Sequence, residues 1–141
     1  MNLYEKTEIL LNSYKIMIVE IKNINLEIES MKEEYTGCGA ISLDEKSSPT
    51  NAFTSTVENE VVTREKRLYQ LEKLKREDIK TIAKIDNAIV ILSPLERHCI
   101  EMICFKSMQY KEVSKELSID YSYVGEVKHR AIDKISHLVC I

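Results

Sequence analysis

Leu3, Thr7, Leu10, Tyr14, Met17, Ile21, Ile24, Ile28, Met31 and Tyr35 follow one another at alternating steps of four and three residues. That spacing is the seam of a heptad repeat and predicts a helix with one continuous apolar edge. Asn2 and Glu5 have the spacing of a capping box, so this helix is read from about Leu3 to Tyr35. Thr36 to Thr54 holds Gly37, Gly39, Pro49 and a Ser/Thr/Asn-rich stretch, and reads as a loop, about 36-54. Ser55 and Glu58 form a second capping box that opens a helix reaching Leu92, with Val57, Val61, Leu68, Leu71, Ile82, Ile85, Ile89 and Leu92 along its seam. In its middle Arg64, Lys75 and Asp78 occupy seam positions, while Leu74 and Ile79 sit beside them, which predicts a stutter or a change of partner. At about 1.5 Å per residue the two helices are roughly 50 and 57 Å long and can pair antiparallel as a hairpin, the arrangement favoured here over a parallel coiled coil between chains. Ile18, Val19 and Leu26 lie off the seam and are left to bury against a second subunit.

The pattern changes at Ser93. Ser93-Pro94-Leu95-Glu96 combines a capping Ser, a Pro at the first helical position and a Glu that completes a capping box. Apolar residues then dominate through Phe105, so a largely buried helix is expected from Pro94 to about Lys106. Ser107 and Met108 form a short link. A second helix, Tyr110 to Leu117, starts from the weak cap Gln109 and turns Val113 and Leu117 inward. Ser118-Ile119-Asp120 is a tight turn, with Asp120 placed to cap a third helix. On that helix Val124, Val127, Ala131, Ile135 and Leu138 form the core stripe. At roughly 100° per residue Ser122, Gly125, Glu126 and His129 lie opposite it, Tyr121 borders them, and Lys128 and Arg130 flank them.

The run Leu-Ser-Pro-Leu-Glu-Arg, then Tyr110-Lys-Glu-Val-Ser-Lys-Glu-Leu-Ser-Ile-Asp, then Ser122-Tyr-Val and Arg130-Ala-Ile-Asp-Lys-Ile resembles region 4 of bacterial sigma factors. In particular the chain is similar to phage-encoded transcriptional regulators of the ArpU and RinA type, which precede that domain with a helical segment ending in a pattern like Ile85-Asp-Asn-Ala-Ile. The resemblance implies a helix-turn-helix that binds double-stranded DNA near a promoter, with contact to RNA polymerase as a further implication. Its DNA-facing candidates here are Tyr121, Ser122, Tyr123, Gly125, Glu126, Lys128, His129 and Arg130. Hydrogen-bonding groups at the helix start, a small residue for close approach and neighbouring cations suit a groove-entering helix. Glu126 can accept from a cytosine amino group, while Arg130 and Lys128 suit phosphates. One departure stands at the turn, where the family commonly has Gly and this chain has Ser118; a left-handed conformation there costs a non-Gly residue about 1 kcal/mol.

Charge tempers this picture. From Ser93 onward seven Lys and Arg face seven Asp and Glu, and the whole chain carries a net charge of −3. One copy should therefore hold DNA weakly, and two copies on one duplex, or recruitment by polymerase, would compensate. Between Arg64 and Lys84 the second helix has a basic excess, which the mixed spacing of Glu and Lys assigns to a solvated surface rather than a phosphate-contacting flank.

The 141 residues, 44% hydrophobic and 30% charged with three Gly and two Pro, suit an all-α protein with a long helical hairpin or coiled coil in 1-92 and a helix-turn-helix domain in 93-141. No apolar run reaches the roughly 18 residues of a membrane span, so no membrane partner and a cytoplasmic location are expected. Cys38, Cys99, Cys104 and Cys140 form no CxxC pair; Cys99 and Cys104 read as core, and the spacing of His98, Cys99, His137 and Cys140 matches no structural zinc module. Neither a metal, another cofactor nor a catalytic constellation is expected. The leading function is transcriptional regulation by a homodimer or higher homo-oligomer. The alternatives are a DNA-packaging recognition protein like a phage small terminase subunit, which would assemble as a ring, and a coiled-coil adaptor that binds only protein such as polymerase.

Overall fold

The computed structural model describes residues 1-45 and 51-141, with side chains for 1-34 and 58-141. Among the described residues there are six α-helices and no strand: α1 (Leu3–Asn12), α2 (Tyr14–Glu45), α3 (Asn51–Ile89), α4 (Pro94–Ile100), α5 (Tyr110–Leu117) and α6 (Tyr121–Val139). A π-helical turn, Glu101–Phe105, continues α4. None of these helices is long and apolar enough to cross a membrane.

The local signals at the helix starts act as their chemistry requires. Asn2 Oδ1 accepts from the Glu5 amide at 2.8 Å and the Glu5 carboxylate accepts from the Asn2 amide at 3.1 Å, closing the capping box of α1. Ser93 and Glu96 do the same for α4. Ser13 separates α1 from α2; its hydroxyl donates to the Ile9 carbonyl at 2.8 Å, a back-bond that bends helices without stopping them. Asp120 occupies the N-cap of α6 with extended backbone, but its side chain makes no capping bond, contrary to expectation.

The long helices differ from the sequence reading. α2 continues past Tyr35 to Glu45 and α3 begins at Asn51, so much of the segment expected as a loop, 36-54, is helical. Ser55 lies inside α3 and is not its N-cap. Gly costs a helix interior about 1 kcal/mol relative to Ala, and a helix already nucleated over many turns can absorb that. Pro49 lies outside the described residues.

The chain divides into two compact units, Met1–Val19 with Asp78–Ile141, and Glu20–Glu77. The expected boundary at 92/93 is therefore not where the contacts divide. In the first unit Leu11, Ile85, Ile100, Val113, Val124, Ile132 and Ile135 are wholly enclosed, with Cys99 and Cys104 in the same core. α1 packs on α6 and on the π-helical turn. The Tyr14 ring stacks on Phe105 at 4.1 Å and its hydroxyl donates to Asp86 at 2.6 Å; burial, then this bond, push the phenol up to about 12.

In the second unit Ile24 and Ile28 are buried, and Arg67 reaches Glu27 at 3.3 Å. Of the stutter or change of partner expected in α3, the stutter does not occur, while the division between the two compact units falls in that same stretch, at Glu77/Asp78. Arg64 and Lys75 are half-buried and Asp78 is buried, whereas Leu74 and Ile79 stand 38% and 46% exposed. Long cationic side chains can lay their methylenes on an apolar seam and keep their heads in water, so the heptad phase need not shift to avoid them.

Candidate functional site

The candidate site is built on α6 and the turn that precedes it. Ser118 ends α5 in the left-handed conformation, φ 54° and ψ 45°, as the glycine-like position of the turn demands. The turn is stitched by Ser114, whose hydroxyl donates to the Ile119 carbonyl at 2.6 Å while its carbonyl accepts from the Ile119 amide at 3.2 Å. A polar side chain inside the turn thus offsets the cost of a non-Gly residue there.

Val124, Val127, Ala131 and Ile135 are buried as the periodicity predicts, but Leu138 is 39% exposed, and the buried face extends instead to Lys128, Ile132, Ser136 and Val139. The reason is α1, which covers a second side of α6. Thr7, fully buried, has its hydroxyl 3.3 Å from Cys140 Sγ, and the Tyr4 ring meets His129 at 4.7 Å.

Lys128 is where this matters most. Its side chain is 11% exposed, and Nζ donates to Glu8 Oε1 at 2.8 Å and to the Tyr110 hydroxyl at 3.3 Å. Burial would lower its pKa, but these two hydrogen bonds outweigh it and hold the ammonium protonated above its ordinary value. Lys128 therefore ties α1, α5 and α6 together and does not flank the exposed face as a phosphate ligand. Tyr123, another expected DNA-facing residue, is half-buried and packs against the core.

The remaining candidates do share one surface. Ser122, Gly125, Glu126, His129 and Arg130 line a shallow open groove along α6, joined by Asp133. Tyr121 stands beside it, 61% exposed, with its ring 6.3 Å from that of Tyr110. Asp133 is not among the expected DNA-facing residues although it lies four residues after His129; His129 Nε2 stands 3.2 Å from its carboxylate. The face thus mixes Arg130 and His129 with Glu126 and Asp133. A Cβ on Gly125 would meet Tyr110 Cε2 at 3.7 Å, ordinary contact, so nothing among the described residues demands glycine there.

Behind the groove, Lys134 Nζ donates to Glu96 Oε1 at 2.8 Å, fixing α6 to the start of α4. Burial raises the Glu96 carboxyl, but bonds from Lys134 and Ser93 prevail and hold it below the usual range. Cys99 and Cys104 are raised by burial, the latter to about 11, so both behave as core residues. Among the described residues no three His, Cys, Asp or Glu side chains converge to hold a metal ion. No family model, curated protein or solved structure matches this chain.

Proposed function

We propose that this chain is a sequence-specific, double-stranded-DNA-binding transcriptional regulator of the phage or prophage type, in which α5 and α6 form a helix-turn-helix and α6 enters a major groove. The observation that carries the reading is the row Ser122, Gly125, Glu126, His129 and Arg130. It lies exposed along one side of a helix whose other sides are fixed by α1, α4 and α5. In this reading Ser122, Glu126 and His129 face base edges, Gly125 lets the helix approach closely, and Arg130 meets phosphate. The paired long helices form a hairpin that joins two copies, which makes good the modest charge of one. RNA polymerase is a further partner by resemblance.

The test is a variant with Ser122, Glu126 and Arg130 replaced by Ala. None of the three is buried, so folding should be retained while preference for a selected duplex is lost. Loss of Glu126 alone should relax preference at one base pair by about 1 to 3 kcal/mol, and loss of Arg130 should weaken all sequences alike. A folded triple variant with unchanged affinity and preference would refute the proposal. A second reading, an adaptor that binds only protein, draws support from the balanced charge of the exposed face and the inward Lys128. Absence of duplex binding at low salt would favour it.

A further inference from the structure

The helical path that begins at Leu3 carries a second repeat, on the side away from its buried seam. Ile9, Asn12, Ile16, Val19, Asn23 and Leu26 follow at steps of three and four residues, each two positions beyond a seam residue. The apolar members are 50%, 66%, 47% and 64% exposed. Amide bonds from Ser13 to Ile9 at 3.0 Å and from Met17 to Ser13 at 2.9 Å carry the ladder across the join of α1 and α2, so the repeat keeps its phase. Single exposed apolar side chains need no explanation, but four on heptad spacing do.

We infer that this face forms a parallel, in-register, two-stranded coiled coil with a second copy of this chain. Taking Ile9, Ile16 and Asn23 as a positions and Asn12, Val19 and Leu26 as d positions puts β-branched residues at a and Leu26 at d, with Asn23 as the register-setting polar a residue. The flanking charges decide the orientation. Lys15 and Lys22 fall at g, and Glu20 and Glu27 at e. In a parallel pair Lys15 meets Glu20 of the partner subunit and Lys22 meets Glu27 of the partner subunit, and the same contacts repeat by symmetry. An antiparallel pair would bring lysines against lysines and glutamates against glutamates. Glu27 already takes Arg67 through Oε1, with its side chain 47% exposed, which leaves its other oxygen for a partner. The repeat stops where Ser30 and Glu33 take the next positions. A contact of about 27 Å is short, so exchange between monomer and dimer at micromolar concentration is expected.

The inference rests on the DNA-binding reading only for its use, which is to bring two reading helices to one duplex; the association can be measured without DNA. Sedimentation equilibrium of the full chain at low salt should show a monomer–dimer equilibrium. Lys15→Glu should weaken the dimer by about tenfold at low salt, because each chain then sets like charges across the seam. In an antiparallel pair the same substitution would relieve repulsion and tighten it. Mixing K15E/K22E with E20K/E27K should restore association to that of the unsubstituted chain, although each variant alone is weakened. I16E/L26E should be monomeric with unchanged helicity; should it lose helicity, the charge exchange decides. A chain that stays monomeric at about 100 μM, above the range expected for so short a seam, a dimer tightened by K15E, or a charge exchange that restores nothing would overturn the inference. A dimer that passes these tests yet binds no duplex would refute the DNA-binding reading and leave this one standing.

Discussion

Replacing Lys128 with Met separates the two roles this cation could have. Breaking a buried ion pair by removing one partner costs about 3 to 5 kcal/mol when the remaining charge cannot be rehydrated. Here the remaining carboxylate, Glu8, keeps 32% of its side chain in water, and Met fills most of the space of the lysine stem. A destabilisation of about 2 kcal/mol is expected, which in a domain of this size lowers the melting temperature by about 6 to 10 °C. The coupling to Glu8, from the cycle with Glu8→Gln, should be about 1 to 2 kcal/mol. Because the pKa of Lys128 is raised in the folded protein, its contribution is fully present below the ordinary value of 10.5 and disappears only as pH rises through the higher folded value. The gap between the chain and K128M should therefore be constant over roughly pH 6 to 9. Measured at a temperature where K128M is folded, the salt dependence of duplex binding should match that of the unsubstituted chain, whereas R130A should flatten the slope by about one. Unchanged thermal stability in K128M, together with a flattened salt slope, would show that Lys128 faces DNA and that its tie to α1 is incidental.

Gly125→Ala should raise stability by about 0.5 to 1 kcal/mol, since the position is helical and the added methyl meets only Tyr110 at contact distance, yet it should weaken duplex binding by crowding the approach. Chemical denaturation and fluorescence anisotropy read the two effects, and a gain in both would refute the role given to Gly125. Glu96, whose pKa is depressed, contributes stability that is present above the ordinary carboxyl value of 4.5 and is lost as pH falls through its lower folded value. Glu96→Gln should therefore cost stability at neutral pH and make the acid limb of the unfolding curve shallower; an acid limb unchanged by the substitution would refute the assignment.

Features decided within one turn of backbone were legible in the residues alone. Asn2 with Glu5 and Ser93 with Glu96 satisfy amides three residues away, so type and spacing sufficed to start α1 and α4. The α5 limits and the inward stripe of Val124, Val127, Ala131 and Ile135 likewise follow from local signals and a period of 3.6, whereas the left-handed Ser118 goes against its own local conformational cost and was indicated only by the resemblance. Ser55 shows the limit of the same logic: its spacing to Glu58 is equally good, but a helix already running from Asn51 leaves no free end to cap. Lys128 shows a deeper limit. Its position on α6 is consistent with a solvent-facing flank, and what turns it inward is Glu8, 120 residues earlier, carried there by α1. No local pattern encodes that contact, because the stability of a buried ammonium depends on which carboxylate and hydroxyl the fold brings to it. The same holds for the first nineteen residues, whose heptad seam announces a helix and an apolar edge but not that the edge packs beside α6 in the unit that contains the candidate site. Periodicity specifies that a face must be covered; only the packing of the whole chain decides by what.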